Sequence, residues 1–128
     1  MEKKKYDFFC VNYPNVDMVG HTGDFDAAKK AVATINTEIK RLVSYIEKHG
    51  GNIIIIADHG NAEEMINREI GGMMTQHTIN SVPCIIISKP KKTYTLRKNG
   101  VLADVAPTLL DILDIKKPKE MTGKTLIT

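Results

Sequence analysis

The chain has 128 residues, 42% of them hydrophobic and 26% charged, and a net charge of +3. That is the balance of one ordinary globular domain, not of a fibre or a disordered tail. Its longest apolar run, residues 53–57, is far short of the roughly 20 residues that span a bilayer, and the lysines after Met1 precede no signal-peptide core. These features predict a cytoplasmic protein with no membrane partner. The scattered basic groups Lys3-Lys4-Lys5, Lys29-Lys30, Lys91-Lys92 and Lys116-Lys117 lack the interleaved aromatics of a nucleic-acid surface, so no nucleic-acid partner is expected.

In chain order, residues 6–13 are aromatic and β-favouring and predict a first strand stopped by Pro14, with a loop over 14–23. Cys10 in this run and Cys84 further on show no metal-type spacing and read as buried free thiols of a reducing compartment. From a cap at Asp24 or Asp26, the positions Ala28, Ala31, Val32, Ile35, Ile39, Leu42, Val43 and Ile46 recur at helical spacing until Gly50-Gly51. Residues 52–57, Asn52 followed by an unbroken apolar run without alternation, show the pattern of a central strand covered on both faces in a parallel sheet. Residues 82–88 predict another strand, residues 93–96 a short edge strand, and Asp104 the cap of a helix reaching Leu113 with Pro107 in its first turn. This order predicts an α/β domain with a mainly parallel sheet, right-handed crossovers, and ligands at the carboxyl ends of the strands.

Three loops carry acids and imidazoles. Asp17 and His21 follow the first predicted strand, Asp58 and His59 follow the central one, and His77 precedes the next. Each has a bland reading. Asp17 could cap a turn, and Gly60 could give Asp58-His59 a left-handed exit from the strand. Their joint placement beside core strands points instead to a metal centre, because carboxylate oxygens and neutral imidazoles suit Mn²⁺ or Zn²⁺, and paired ions serve phosphoryl transfer. His49, beside Lys48 at a helix end, reads as structural. Imidazole ligation also predicts metal affinity that weakens as pH falls through about 6 to 7.

The strings Asn15-Val16-Asp17-Met18-Val19-Gly20-His21-Thr22-Gly23, Ala57-Asp58-His59-Gly60-Asn61-Ala62-Glu63, His77-Thr78, Leu102-Ala103-Asp104-Val105-Ala106-Pro107-Thr108-Leu109-Leu110 and Met121-Thr122-Gly123 resemble the last quarter of cofactor-independent phosphoglycerate mutases, in the alkaline phosphatase superfamily. The resemblance runs over the whole chain after Lys5. Asn61-Ala62-Glu63 after Asp-His-Gly sets it apart from phosphopentomutases, which continue with Asp-Pro, whereas Asn36 stands where the family has an aspartate.

The resemblance implies an alkaline-phosphatase-like three-layer sandwich, with residues 1–128 as one partial domain and the substrate-binding domain absent. It implies that Asp17, His21 and His77 hold one Mn²⁺ and that Asp58 and His59 help hold a second, Zn²⁺ or Co²⁺ being possible substitutes. It further implies a glycolytic isomerase that interconverts 3-phosphoglycerate and 2-phosphoglycerate through a phosphoserine. No serine here has the family's context: Ser44 lies mid-helix, and Ser81 and Ser88 bracket a strand. The expectation is therefore an inactive fragment of a longer enzyme, with apolar sheet surface open to a homodimer contact. The alternatives are another superfamily enzyme, such as a phosphatase or phosphopentomutase, and a non-catalytic binding or assembly module.

Overall fold

The computed structural model describes residues 6–88 and 93–128, so Lys3-Lys4-Lys5 and Lys91-Lys92 lie outside it. Two compact units divide the chain. The first comprises Met1–Glu38 and Asn61–Thr78, the second Ile39–Gly60 and Ile79–Thr128.

In the first unit, residues 6–13 form no strand and are exposed along their length. The predicted strand is thus corrected. A β-favouring run stays irregular when no neighbour supplies ladder hydrogen bonds, and Cys10 in it is an exposed free thiol, not a buried one. The predicted loop 14–23 contains a helix, α1 (Asn15–Gly20), with Pro14 as its N-cap residue and Asp17 in its first turn. Gly23, at φ +72°, turns the chain toward α2 (Phe25–Lys48).

Asp24, not Asp26, caps α2, its Oδ1 accepting the Ala27 N–H at 2.9 Å. The inward face of its first half buries Ala28, and Met65 is the other buried apolar residue among the described residues of this unit. Residues 61–78 contain a narrow excursion closed by the bridge between Ile66 and Met73 and reversed at Gly71, whose φ is +71°.

The second unit begins with the rest of α2. The helix ends where Gly50, at φ +71°, lets the Gly51 N–H reach Ile46 O at 3.0 Å and the Gly50 N–H reach Glu47 O at 3.4 Å. This is a Schellman arrangement, which satisfies the last orphan carbonyls. His49 is structural, as expected: its ring stacks on Tyr45 with centroids 4.1 Å apart, and its Nδ1 bonds Tyr45 O at 2.7 Å.

β1 (Asn52–Ile56) and β2 (Cys84–Ser88) follow. They pair antiparallel, from Asn52 opposite Ser88 to Ile56 opposite Cys84, in a two-stranded sheet. The parallel, central placement of β1 is therefore corrected among the described residues. An unbroken isoleucine run reports that both faces are apolar, but says nothing about the direction of the neighbouring chain. Burial pushes the half-buried Cys84 thiol up from its ordinary pKa.

The expected edge strand at 93–96 reduces to a single bridge between Leu96 and Ile127, flanked by Arg97 N–H to Leu126 O at 2.8 Å. A 3₁₀ turn (Leu102–Asp104) leads into α3 (Val105–Ile112), with Pro107 in the first turn, where its missing N–H costs nothing. This corner is the best-packed part of the unit. Thr108 is fully buried, Leu126 is buried, and a Cβ on Gly123 would stand 1.9 Å from Ala103 O.

Candidate metal centre

α1 places Asp17 and His21 one turn apart, so both side chains leave the same face of the helix. Within this unit the chain then returns with His77. Asp17 Oδ1 lies 3.2 Å from His21 Nε2 and 3.1 Å from His77 Nε2, and the two Nε2 atoms are 3.1 Å apart. Three donor atoms thus form a nearly equilateral triangle.

The protons show what that triangle needs. His21 Nδ1 lies 2.6 Å from the carbonyl oxygen of Thr75, which can only accept, so Nδ1 carries the hydrogen. In the neutral ring, Nε2 then turns a lone pair toward a carboxylate oxygen and a second imidazole. Such a convergence is repulsive unless a hydrogen on His77 Nε2 or a metal ion lies among the three. Donors sharing one divalent ion at bonds of about 2.0–2.2 Å stand roughly 3.0–3.5 Å apart, and the observed edges fall in that range. One carboxylate and two imidazoles, with one ring fixed by a backbone carbonyl, fit a first-row divalent cation.

Asp17 also accepts a hydrogen bond from Asn61 Nδ2 at 3.3 Å. Asn61 is buried, and it packs against Gly20 so tightly that a Cβ there would meet Asn61 Oδ1 at 1.8 Å. The Asn61 N–H donates to Glu63 Oε2 at 2.6 Å, while the hydroxyl of Thr78, next to His77, donates to Glu63 Oε1.

Asp58 and His59 stand in the other unit, directly after β1 as the sequence predicts. Asp58 is exposed, His59 Nε2 lies 3.7 Å from Asp58 Oδ2, and His59 Nδ1 is 3.3 Å from Gly60 O. Gly60 is absent from the positive-φ glycines, so it supplies no left-handed exit. The first cluster, placed by sequence reasoning at a strand end, sits on a helix instead. Its four-residue Asp-to-His spacing was the available signal, because one helical turn sets two such side chains next to each other, whereas in a strand they share a face but stand about 13 Å apart. The roles of Asn61, Glu63, Thr78 and the Thr75 carbonyl left no trace in local spacing, because each acts through contacts across the chain fold.

Comparison with known proteins follows the same lines. Residues 1–117 match the family model described as the metalloenzyme superfamily. The 2,3-bisphosphoglycerate-independent phosphoglycerate mutase of Clostridium kluyveri is 49% identical over 127 residues, which cover 99% of this chain and 25% of that protein. Its counterpart in Chloroflexus aggregans is 51% identical over 126 residues, covering 96% and 23%. The solved structure of Leishmania mexicana phosphoglycerate mutase at low cobalt concentration matches with a TM-score of 0.87 at 29% identity, over 99% of this chain and 26% of that one. This chain spans about a quarter of the length of the relatives it matches. The likeness bears out the expected mixed α/β, phosphatase-like class, while the strand direction stands corrected as above.

Proposed function

Because the chain belongs to the metalloenzyme superfamily, we propose that it is the metal-binding portion of a 2,3-bisphosphoglycerate-independent phosphoglycerate mutase. That enzyme is an isomerase interconverting 3-phosphoglycerate and 2-phosphoglycerate in glycolysis, in the cytoplasm. The identities of 49% and 51% to proteins of that name support the reading. The observation that carries it is the donor triangle of Asp17, His21 and His77, with edges of 3.1–3.2 Å and the His21 ring proton committed to Thr75.

In this reading Asp17, His21 and His77 hold one divalent ion, and Asp58 and His59 contribute to a second. Mn²⁺ is the expected ion, and Zn²⁺ or Co²⁺ suit the same donors. When bound, such ions stabilise charge on a transferring phosphoryl group and orient its oxygens. Asp17 brings the anionic charge that offsets part of the cation, and the imidazoles bring neutral donors. The Thr75 carbonyl holds the His21 ring in the tautomer whose Nε2 can donate its electron pair.

The nucleophilic serine and the arginines that grip the substrate are assigned to sequence outside these 128 residues, which make up one partial phosphatase domain without the substrate-binding domain. The isolated chain is therefore expected to bind metal without turnover. Its open apolar sheet surface is proposed to pair with a second copy.

Calorimetric titration of the metal-free chain with Mn²⁺ tests the reading. Saturable binding in the parent, weakened at least tenfold in His21→Ala and in His77→Ala, is expected. No binding heat in the parent would sink the metal assignment, and mutase turnover by the chain alone would sink the division of labour.

A further inference from the structure

Asn61 touches the donor triangle from outside, and Glu63 bonds to Asn61 and to Thr78 beside His77, without either belonging to the triangle. Asp17 Oδ1 accepts from Asn61, so the amide nitrogen faces the carboxylate and the amide oxygen faces Gly20. Only a residue without a Cβ leaves that oxygen room, so Gly20 makes space for Asn61 here, and the hydrogen bond to Asp17 sets the direction of the amide. Asn61 is 7% exposed, and a buried amide with a fixed direction holds its acceptor fixed as well. Glu63 then uses one carboxylate oxygen for the backbone N–H of residue 61 and the other for the hydroxyl of Thr78. One side chain thereby ties the segment that steadies Asp17 to the residue that follows His77.

We infer that Asn61 and Glu63 are positioning residues for the Asp17–His21–His77 donor set: Asn61 orients the carboxylate, and Glu63 sets the spacing between it and the His77 imidazole. Neither donates to the ion. Their work is to hold the triangle at its bound dimensions before the cation arrives, so that binding requires no rearrangement. The inference rests on the metal reading above.

The test is the Mn²⁺ dissociation constant of the full chain, with the far-ultraviolet circular dichroism and the melting temperature of the metal-free form recorded beside it. Asn61→Ala is expected to weaken Mn²⁺ binding by roughly 10–100-fold with the metal-free spectrum unchanged. Glu63→Gln keeps the shape and one acceptor oxygen, and is expected to fall between Asn61→Ala and the parent. It serves as the readable variant if Asn61→Ala loses its fold. A parent that binds no Mn²⁺ overturns the metal reading and this inference with it. A parent that binds, with both folded variants within twofold of it, overturns this inference alone. An affinity loss that merely tracks a lowered melting temperature across the two variants also overturns it, since that would mark a general structural role.

Discussion

Asp104 is the most constrained ionisable residue described. Its carboxylate accepts the Lys124 N–H at 2.8 Å and the Val101 N–H at 2.9 Å, and Arg97 lies 2.6 Å away. The two backbone donors first, and then the guanidinium, outweigh burial and hold its pKa down from 3.8 to about 2. A depressed carboxylate stabilises the fold in full above its unfolded value and loses that contribution as pH falls through the folded one. The urea midpoint of the chain is therefore expected to fall between about pH 4 and pH 2, and Asp104→Asn to flatten that slope. An unchanged slope in the variant would refute the assignment.

Thr108 makes a parallel case. Its hydroxyl donates to Asp104 O at 2.6 Å and accepts the Leu126 N–H at 2.9 Å, all out of water. Thr108→Val keeps the shape but leaves that N–H unpaired, and is expected to cost about 1–3 kcal/mol in chemical denaturation. Asp104 was legible in the sequence as a helix cap, and it does sit at that boundary. Its carboxylate nevertheless serves the Val101 and Lys124 amides; Val101 is only three residues back, but Lys124, 20 residues on, leaves no mark on local spacing.

Among the elements, α2 was the most legible. Its apolar stripe, its aspartate cap and the paired glycines at its end are all local signals, and local signals decide helices. Asp24→Ala, which removes the oxygen that caps Ala27, is expected to lower stability by about 0.5–2 kcal/mol in thermal melting, whereas Asp26→Ala stays near the parent. Strands were less legible. The β1 run was placed to within a residue, yet its pairing was not, since direction depends on what lies alongside and not on the run itself. Residues 6–13 have the composition of a strand and no ladder. The six-residue α1 is too short to show periodicity, and only the spacing of its two site residues betrays it.

For the whole molecule, surface area is the informative quantity. The buried apolar residues among those described are Ala28, Met65 and Leu126, while Phe25, Ile56, Ile85 and Val32 are open to solvent. The sequence foretold this, because an all-apolar strand was paired with too few helices to cover it. Sedimentation is expected to show concentration-dependent association, and a hydrophobic dye to bind the dilute chain. A monodisperse monomer that leaves the dye dark would contradict it.

Arg97 gives the chain end a fastening of its own. Its guanidinium reaches the carbonyls of Asn99, Lys124 and Thr125 as well as Asp104, and Thr128 is bound back to Thr95. The final residues are thus a latch and not a loose tail. Leu126 both gives its amide to Thr108 and packs over Gly100, so displacing it should undo both contacts at once and open the corner as a unit, not by gradual fraying.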